Sequence, residues 1–84
     1  MNESTVRAAV AAELNTHGYR LGAEEYESDL IGAGVNSVNL VRVLTALEER
    51  FDIEFDAARL LSAPMTIAQL AAAIIRGASP KTER

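Results

Sequence analysis

Few residues in this chain have side chains suited to chemistry. There is one histidine, His17, and no cysteine, which excludes disulfides, thiolate zinc sites, iron–sulfur clusters and cysteine catalysis. His17 falls at the end of a helical stretch, where a positive charge complements the helix dipole, so a surface or capping role is expected. Glu24, Glu25, Glu27 and Asp29 form an acidic run, but without the spacing and glycine of a calcium loop, and they read as a solvated loop. Neither a G-x-S-x-G elbow nor a phosphate-cradling glycine-rich loop occurs. One position remains of interest, the serine in Gly34-Val35-Asn36-Ser37-Val38, at the start of the strongest helical pattern and after a loop that glycines keep slim. Taken alone, Ser37 or Asn36 caps that helix and does nothing more. Catalysis by this chain is not expected, and no metal site is expected either.

The elements that must position these residues are helices. Val6, Val10 and Leu14 recur every four residues from Ser4 to Asn15, with Asn2 or Ser4 as the cap and Gly18 as the stop. Residues 19–36 hold no single period. Gly22, Gly32 and Gly34 punctuate them, yet Tyr19, Leu21, Tyr26, Leu30 and Ile31 are too apolar for a solvated linker. They predict a long loop folded back onto the core, with a helical turn around Ser28 to Ile31. Ser37 to Phe51 carries Leu40, Leu44, Leu47 and Phe51 at i, i+4, i+7 and i+11, joined by Val43. Asp52-Ile53-Glu54-Phe55 alternates but is too short for a strand. Asp56 is placed to cap a short helix carrying Ala57, Leu60 and Leu61, which Pro64 stops. Thr66-Ile67-Ala68-Gln69 is a capping-box pattern opening a last helix, with Ile67, Leu70, Ala71, Ile74 and Ile75 on its apolar face and Gly77 at its end. The expectation is an all-α four-helix bundle of three main helices and one short one, in a single domain with its core at about residues 4–77 and a frayed tail at 78–84.

The chain has 84 residues, 49% of them hydrophobic, and twelve Asp and Glu against eight Lys and Arg give a formal net charge of -4. That balance opposes a nucleic-acid footprint and electrostatic attachment to anionic membranes. The longest apolar run, Leu70 to Ile75, is too short to span a bilayer, and the N-terminus lacks a secretory pattern. A cytoplasmic monomer is expected.

The segment Asp29-Leu30-Ile31-Gly32-Ala33-Gly34-Val35-Asn36-Ser37-Val38, followed by a helix ending Leu47-Glu48-Glu49-Arg50-Phe51-Asp52-Ile53-Glu54, resembles the centre of an acyl carrier protein. In that family D-L-x-x-x-G-x-D-S-L leads into the second helix, which runs on to a phrase like L-E-E-x-F-D-I-E. The Thr-Ile-Ala-Gln-Leu start of the last helix and the helix order also match, so the resemblance spans about Val6 to Ile75. It implies a carrier and not an enzyme. Ser37 matches the serine to which a phosphopantetheinyl transferase attaches 4'-phosphopantetheine, taken from coenzyme A. The arm supplies the thiol that this chain lacks, and an acyl group rides on it as a thioester.

Three departures from the family pattern bear on partners. Asn36 replaces the usual aspartate, Val38 replaces leucine, and Arg42 interrupts a helix that is strongly acidic in fatty-acid carriers. Val38, Val41 and Thr45 lie at i, i+3 and i+7. With Asn36 and Arg42 they form a candidate stripe for a cognate acyltransferase, ligase or ketosynthase, although Val41 also suits a core position. The mixed face, and a basic set in which Lys81 is the only lysine, point to a bacterial polyketide or mixed polyketide–nonribosomal peptide pathway, such as antibiotic biosynthesis. The methionine start and short tails favour a free-standing protein. A peptidyl or aminoacyl carrier loaded by an amino-acid ligase is the nearest alternative. An unmodified helical interaction module is the third, kept open by Asn36.

Overall fold

The computed structural model describes residues 2–56 and 64–77, which form three α-helices. Helix α1 spans Glu3–Thr16, α2 Ser37–Phe51 and α3 Ile67–Ile75. The short helix expected after Asp56 and the tail expected at 78–84 lie outside the described residues.

Each helix begins where a side chain can satisfy its first free N–H groups. Asn2, not Ser4, caps α1, its Oδ1 accepting the Thr5 N–H at 3.0 Å. Glu3 then pairs with Arg7 at 2.7 Å one turn on. Thr66 Oγ1 accepts the Gln69 N–H at 3.0 Å at the head of α3. Among the described residues the reciprocal glutamine half of that capping box is not made. A loop carbonyl satisfies another free donor of the first turn, Tyr26 O accepting the Ala68 N–H at 3.0 Å.

The apolar stripes meet as their periods require. Val6, Ala9, Val10 and Leu14 of α1 are buried, as are Leu40, Val43, Leu44 and Leu47 of α2 and Ile67, Leu70, Ala71 and Ile74 of α3. α1 lies mainly against α3 and more lightly against α2. Small Ala71 and Ala73 are buried within α3, where their size lets neighbouring backbones approach closely. Ile75 departs from expectation: it sits on the flank of α3 and is 41% exposed. Ile53 and Phe55 turn inward after α2 while Glu54 makes only a single bridge, so no strand forms among the described residues.

The long first loop folds back as expected, and hydrogen bonds stitch it to the segment before α3, where Leu30 N–H donates to Met65 O at 2.8 Å. Leu30 is fully buried, and Tyr19, Leu21 and Tyr26 pack half-buried on the core. Ile31, expected as an anchor, is 50% exposed instead. The loop also contains a 3₁₀ turn at Ala23–Glu25 that periodicity does not predict. Glu25 holds it by accepting the Gly22 N–H at 2.9 Å. The expected turn around Ser28 to Ile31 sits slightly later, over residues 30–34. Asp29 sets its start, its Oδ2 accepting the Gly32 N–H at 3.3 Å.

Candidate functional site

The start of α2 is built from below, from within and from the side. Beneath it, Val35 and Leu40 flank the cap as a hydrophobic staple, and both belong to the buried core. Val35 is itself fixed by its N–H on Leu30 O at 3.0 Å, after Gly34 turns the chain at φ +107°. Within the helix, Asn36 is the cap: its Oδ1 accepts the Asn39 N–H at 2.9 Å and its carbonyl the Leu40 N–H at 2.9 Å. From the side, Tyr19 Oη accepts from Asn39 Nδ2 at 2.8 Å and from the Asn36 N–H at 3.5 Å.

That division of labour decides what Ser37 is free to do. Because Asn36 caps the helix, Ser37 is its first residue and is exposed. Among the described residues its hydroxyl has no partner, and the N–H groups of Ser37 and Val38 have no acceptor. No acidic residue lies in the first turn of α2, so the positive end of its dipole is uncompensated. An exposed nucleophilic oxygen beside two free N–H donors at a helix N-terminus suits a phosphoester.

The outer face of α2 carries the other expected residues. Val38 is 63% exposed and Val41 53% exposed, so Val41 is not a core residue. Arg42 and Thr45 are exposed beside them, and Arg42 has no ion-pair partner among the described residues. Glu48 turns away from this face, its carboxylate accepting the Phe55 N–H at 2.8 Å. Arg50 lies over the Phe51 ring, 5.7 Å from its centre.

A family model described as a phosphopantetheine attachment site matches residues 4–74. The chain belongs to this family of acyl-carrier-like proteins. No curated protein and no solved structure gives a significant match. Members of the family are carriers and not catalysts; a phosphopantetheinyl transferase attaches 4'-phosphopantetheine to them covalently, and pathway enzymes act on what that arm carries. The donor set at the head of α2 fits such a group.

The remaining candidates have local roles in this carrier. His17 ends α1, its Nε2 3.9 Å from Glu13, and Glu27 lies 3.8 Å from Arg7. Among the described residues no group of three His, Asp or Glu is arranged to hold a metal ion. No described helix is long and apolar enough to cross a membrane. Tyr19 and Asn39 are the site residues that sequence patterns missed. The available signal was a tyrosine directly after the glycine that ends α1.

Proposed function

We propose that Ser37 is the attachment serine of this carrier and that the protein serves a polyketide or mixed polyketide–nonribosomal peptide pathway in the cytoplasm. The observation that carries the first part is the exposed Ser37 hydroxyl, without a partner among the described residues, at the head of a helix capped by a different residue. In the transfer, a bond forms between Ser37 Oγ and phosphorus as the pyrophosphate link of coenzyme A breaks. The hydroxyl proton and an adenosine bisphosphate leave. When bound, the arm supplies a thiol able to hold an acyl group. The chain's own part is to present Ser37 on a fixed helix end, to meet the phosphodiester with the N–H groups of Ser37 and Val38, and to offer partners a recognisable surface.

The surface supports the second part. Val38, Val41, Arg42 and Thr45, with Asn36 at the head, give an apolar stripe with a cation that has no ion-pair partner among the described residues. Such a face suits a dedicated acyltransferase, ligase or ketosynthase, since charge complementarity governs encounter and partner choice more than raw affinity.

Intact mass after incubation with coenzyme A, magnesium and a broad-specificity phosphopantetheinyl transferase tests the attachment. Wild type gains one phosphopantetheine and Ser37→Ala gains none. Equal gain by both places the arm elsewhere, and no gain with the native host's transferase favours an unmodified interaction module. Loading of the modified protein by acyl donors, with every amino-acid ligase failing, separates the acyl from the aminoacyl reading.

A further inference from the structure

Tyr19 is placed by the way α1 ends. Gly18 takes φ +94°, so Gly18 N–H donates to Asn15 O at 2.9 Å and Tyr19 N–H to Leu14 O at 3.0 Å. These two bonds make a Schellman turn, with Tyr19 and Leu14 both on the apolar cluster, as that motif favours. The turn carries the phenol across to the head of α2. There, one oxygen bridges the cap residue and a residue of the first turn: Asn39 Nδ2 donates to it at 2.8 Å and the Asn36 N–H at 3.5 Å. A hydroxyl oxygen has two lone pairs, and both are engaged. The end of α1 is thereby tied to the residue immediately before Ser37, across 17 to 20 positions of sequence.

We infer that Tyr19 is a positioning residue for the modification of Ser37, holding the Asn36–Ser37 corner in the one geometry the transferase binds. The inference rests on the assignment of Ser37 as the attachment serine. Without the phenol oxygen, Asn39 Nδ2 and the Asn36 N–H turn to water, and the corner samples other orientations. A transferase that binds only the held geometry then meets it less often. That loss appears as weaker apparent binding by the fraction held, with the chemical step unchanged once bound.

The test is transferase kinetics on full-length wild type, Tyr19→Phe, Asn39→Ala and the double variant, with coenzyme A saturating and the carrier concentration varied. Tyr19→Phe keeps the packed ring and removes only the oxygen. Its KM for the carrier is expected to rise about two- to twelvefold, the range set by one net hydrogen bond, with kcat unchanged. Asn39→Ala, which leaves the Asn36 N–H on the phenol oxygen, is expected to raise KM by no more than Tyr19→Phe does, and the double variant to be no worse than Tyr19→Phe alone, because the tyrosine change already breaks both bonds. Thermal melting of the same proteins supplies the control: a purely structural tyrosine would lower the melting temperature while leaving KM unchanged well below it. A Tyr19→Phe KM equal to wild type, a fall in kcat alone, or additive effects in the double variant would each overturn the positioning role while Ser37 remains the attachment site. Failure of wild type itself to be modified would remove both.

Discussion

Replacing Asn36 separates the geometry of the α2 cap from its charge. Asn36→Ala removes the Oδ1 that accepts the Asn39 N–H at 2.9 Å and leaves that donor to water at an exposed site. The backbone N–H that reaches Tyr19 is untouched. Loss of such a cap costs about 1 kcal/mol, within a range of about 0.5–2. For a domain of this length that lowers the melting temperature by about 4–8 °C. Asn36→Asp keeps an acceptor in the same place and adds a full negative charge at a helix end whose first turn has no acid. The dipole makes that favourable by about 0.3–1 kcal/mol at low ionic strength. In 1 M salt, where the screening length is about 3 Å, the gain disappears, whereas the alanine deficit persists. Melting followed by helical circular dichroism on unmodified protein, at low and high salt, reads all three. The expected low-salt order is aspartate above asparagine above alanine, with aspartate and asparagine converging in high salt. An alanine variant as stable as wild type would mean Asn36 does not cap α2. An aspartate variant as unstable as alanine would mean the amide N–H of Asn36, and not its oxygen, is what the helix end needs.

The same dipole argument applies to the arm: attachment of a phosphodiester at Ser37 should raise the melting temperature by a few degrees at low salt and less in high salt, and a decrease would place the phosphate away from the free N–H groups. Leu47 is fully buried, so Leu47→Ala should cost about 2–5 kcal/mol and lower the melting temperature by more than about 10 °C; a smaller loss would mean the core closes over the gap. A methyl group at Gly18 would meet nothing within 4 Å, but the residue has φ +94°. Gly18→Ala should therefore cost about 1–2 kcal/mol of backbone strain and, by moving Tyr19, raise the transferase KM as Tyr19→Phe does. Arg42→Glu should change stability by less than about 0.5 kcal/mol, since it is exposed, while slowing acyl loading by the cognate enzyme; unchanged loading would take Arg42 out of the docking face.

The helices were legible because their information is local. Leu40, Leu44 and Leu47 repeat with the helix period, Asn36 precedes them as a cap, and Gly18 and Gly77 follow α1 and α3 with positive φ. A period identifies a stripe but not how wide a neighbour covers it, so the pattern points Ile31 and Ile75 inward whereas both stand half in solvent. Asp29 moved the loop turn because a side-chain acceptor, invisible to periodicity, chose its first residue. Ser37 was recognisable by its place in a family pattern. Its freedom was not, because Asn36 and Ser37 are equally good caps on paper and only the fold shows that Asn36 does the capping. Tyr19 lay furthest out of reach, since its role depends on a partner 20 residues away and on the direction a glycine turn gives it.

With Ser37 as the proposed attachment serine, the division between what is held and what is left open at the head of α2 matches what a carrier requires. Partners that act in turn on one arm must find its root in the same place each time, which asks for a rigid corner. Val35 and Leu40 hold it from the core, Asn36 from the helix and Tyr19 from the end of α1. The groups left without a partner among the described residues are the ones a phosphodiester and a docking enzyme could use: the Ser37 hydroxyl, two N–H donors and the Arg42 guanidinium. Glu48 sharpens this contrast. Its carboxylate accepts the Phe55 N–H at 2.8 Å, which ties it to the segment after α2. On the proposed docking face, an enzyme would have to answer two exposed valines and an arginine that has no ion-pair partner among the described residues, which calls for apolar surface with a carboxylate at its edge.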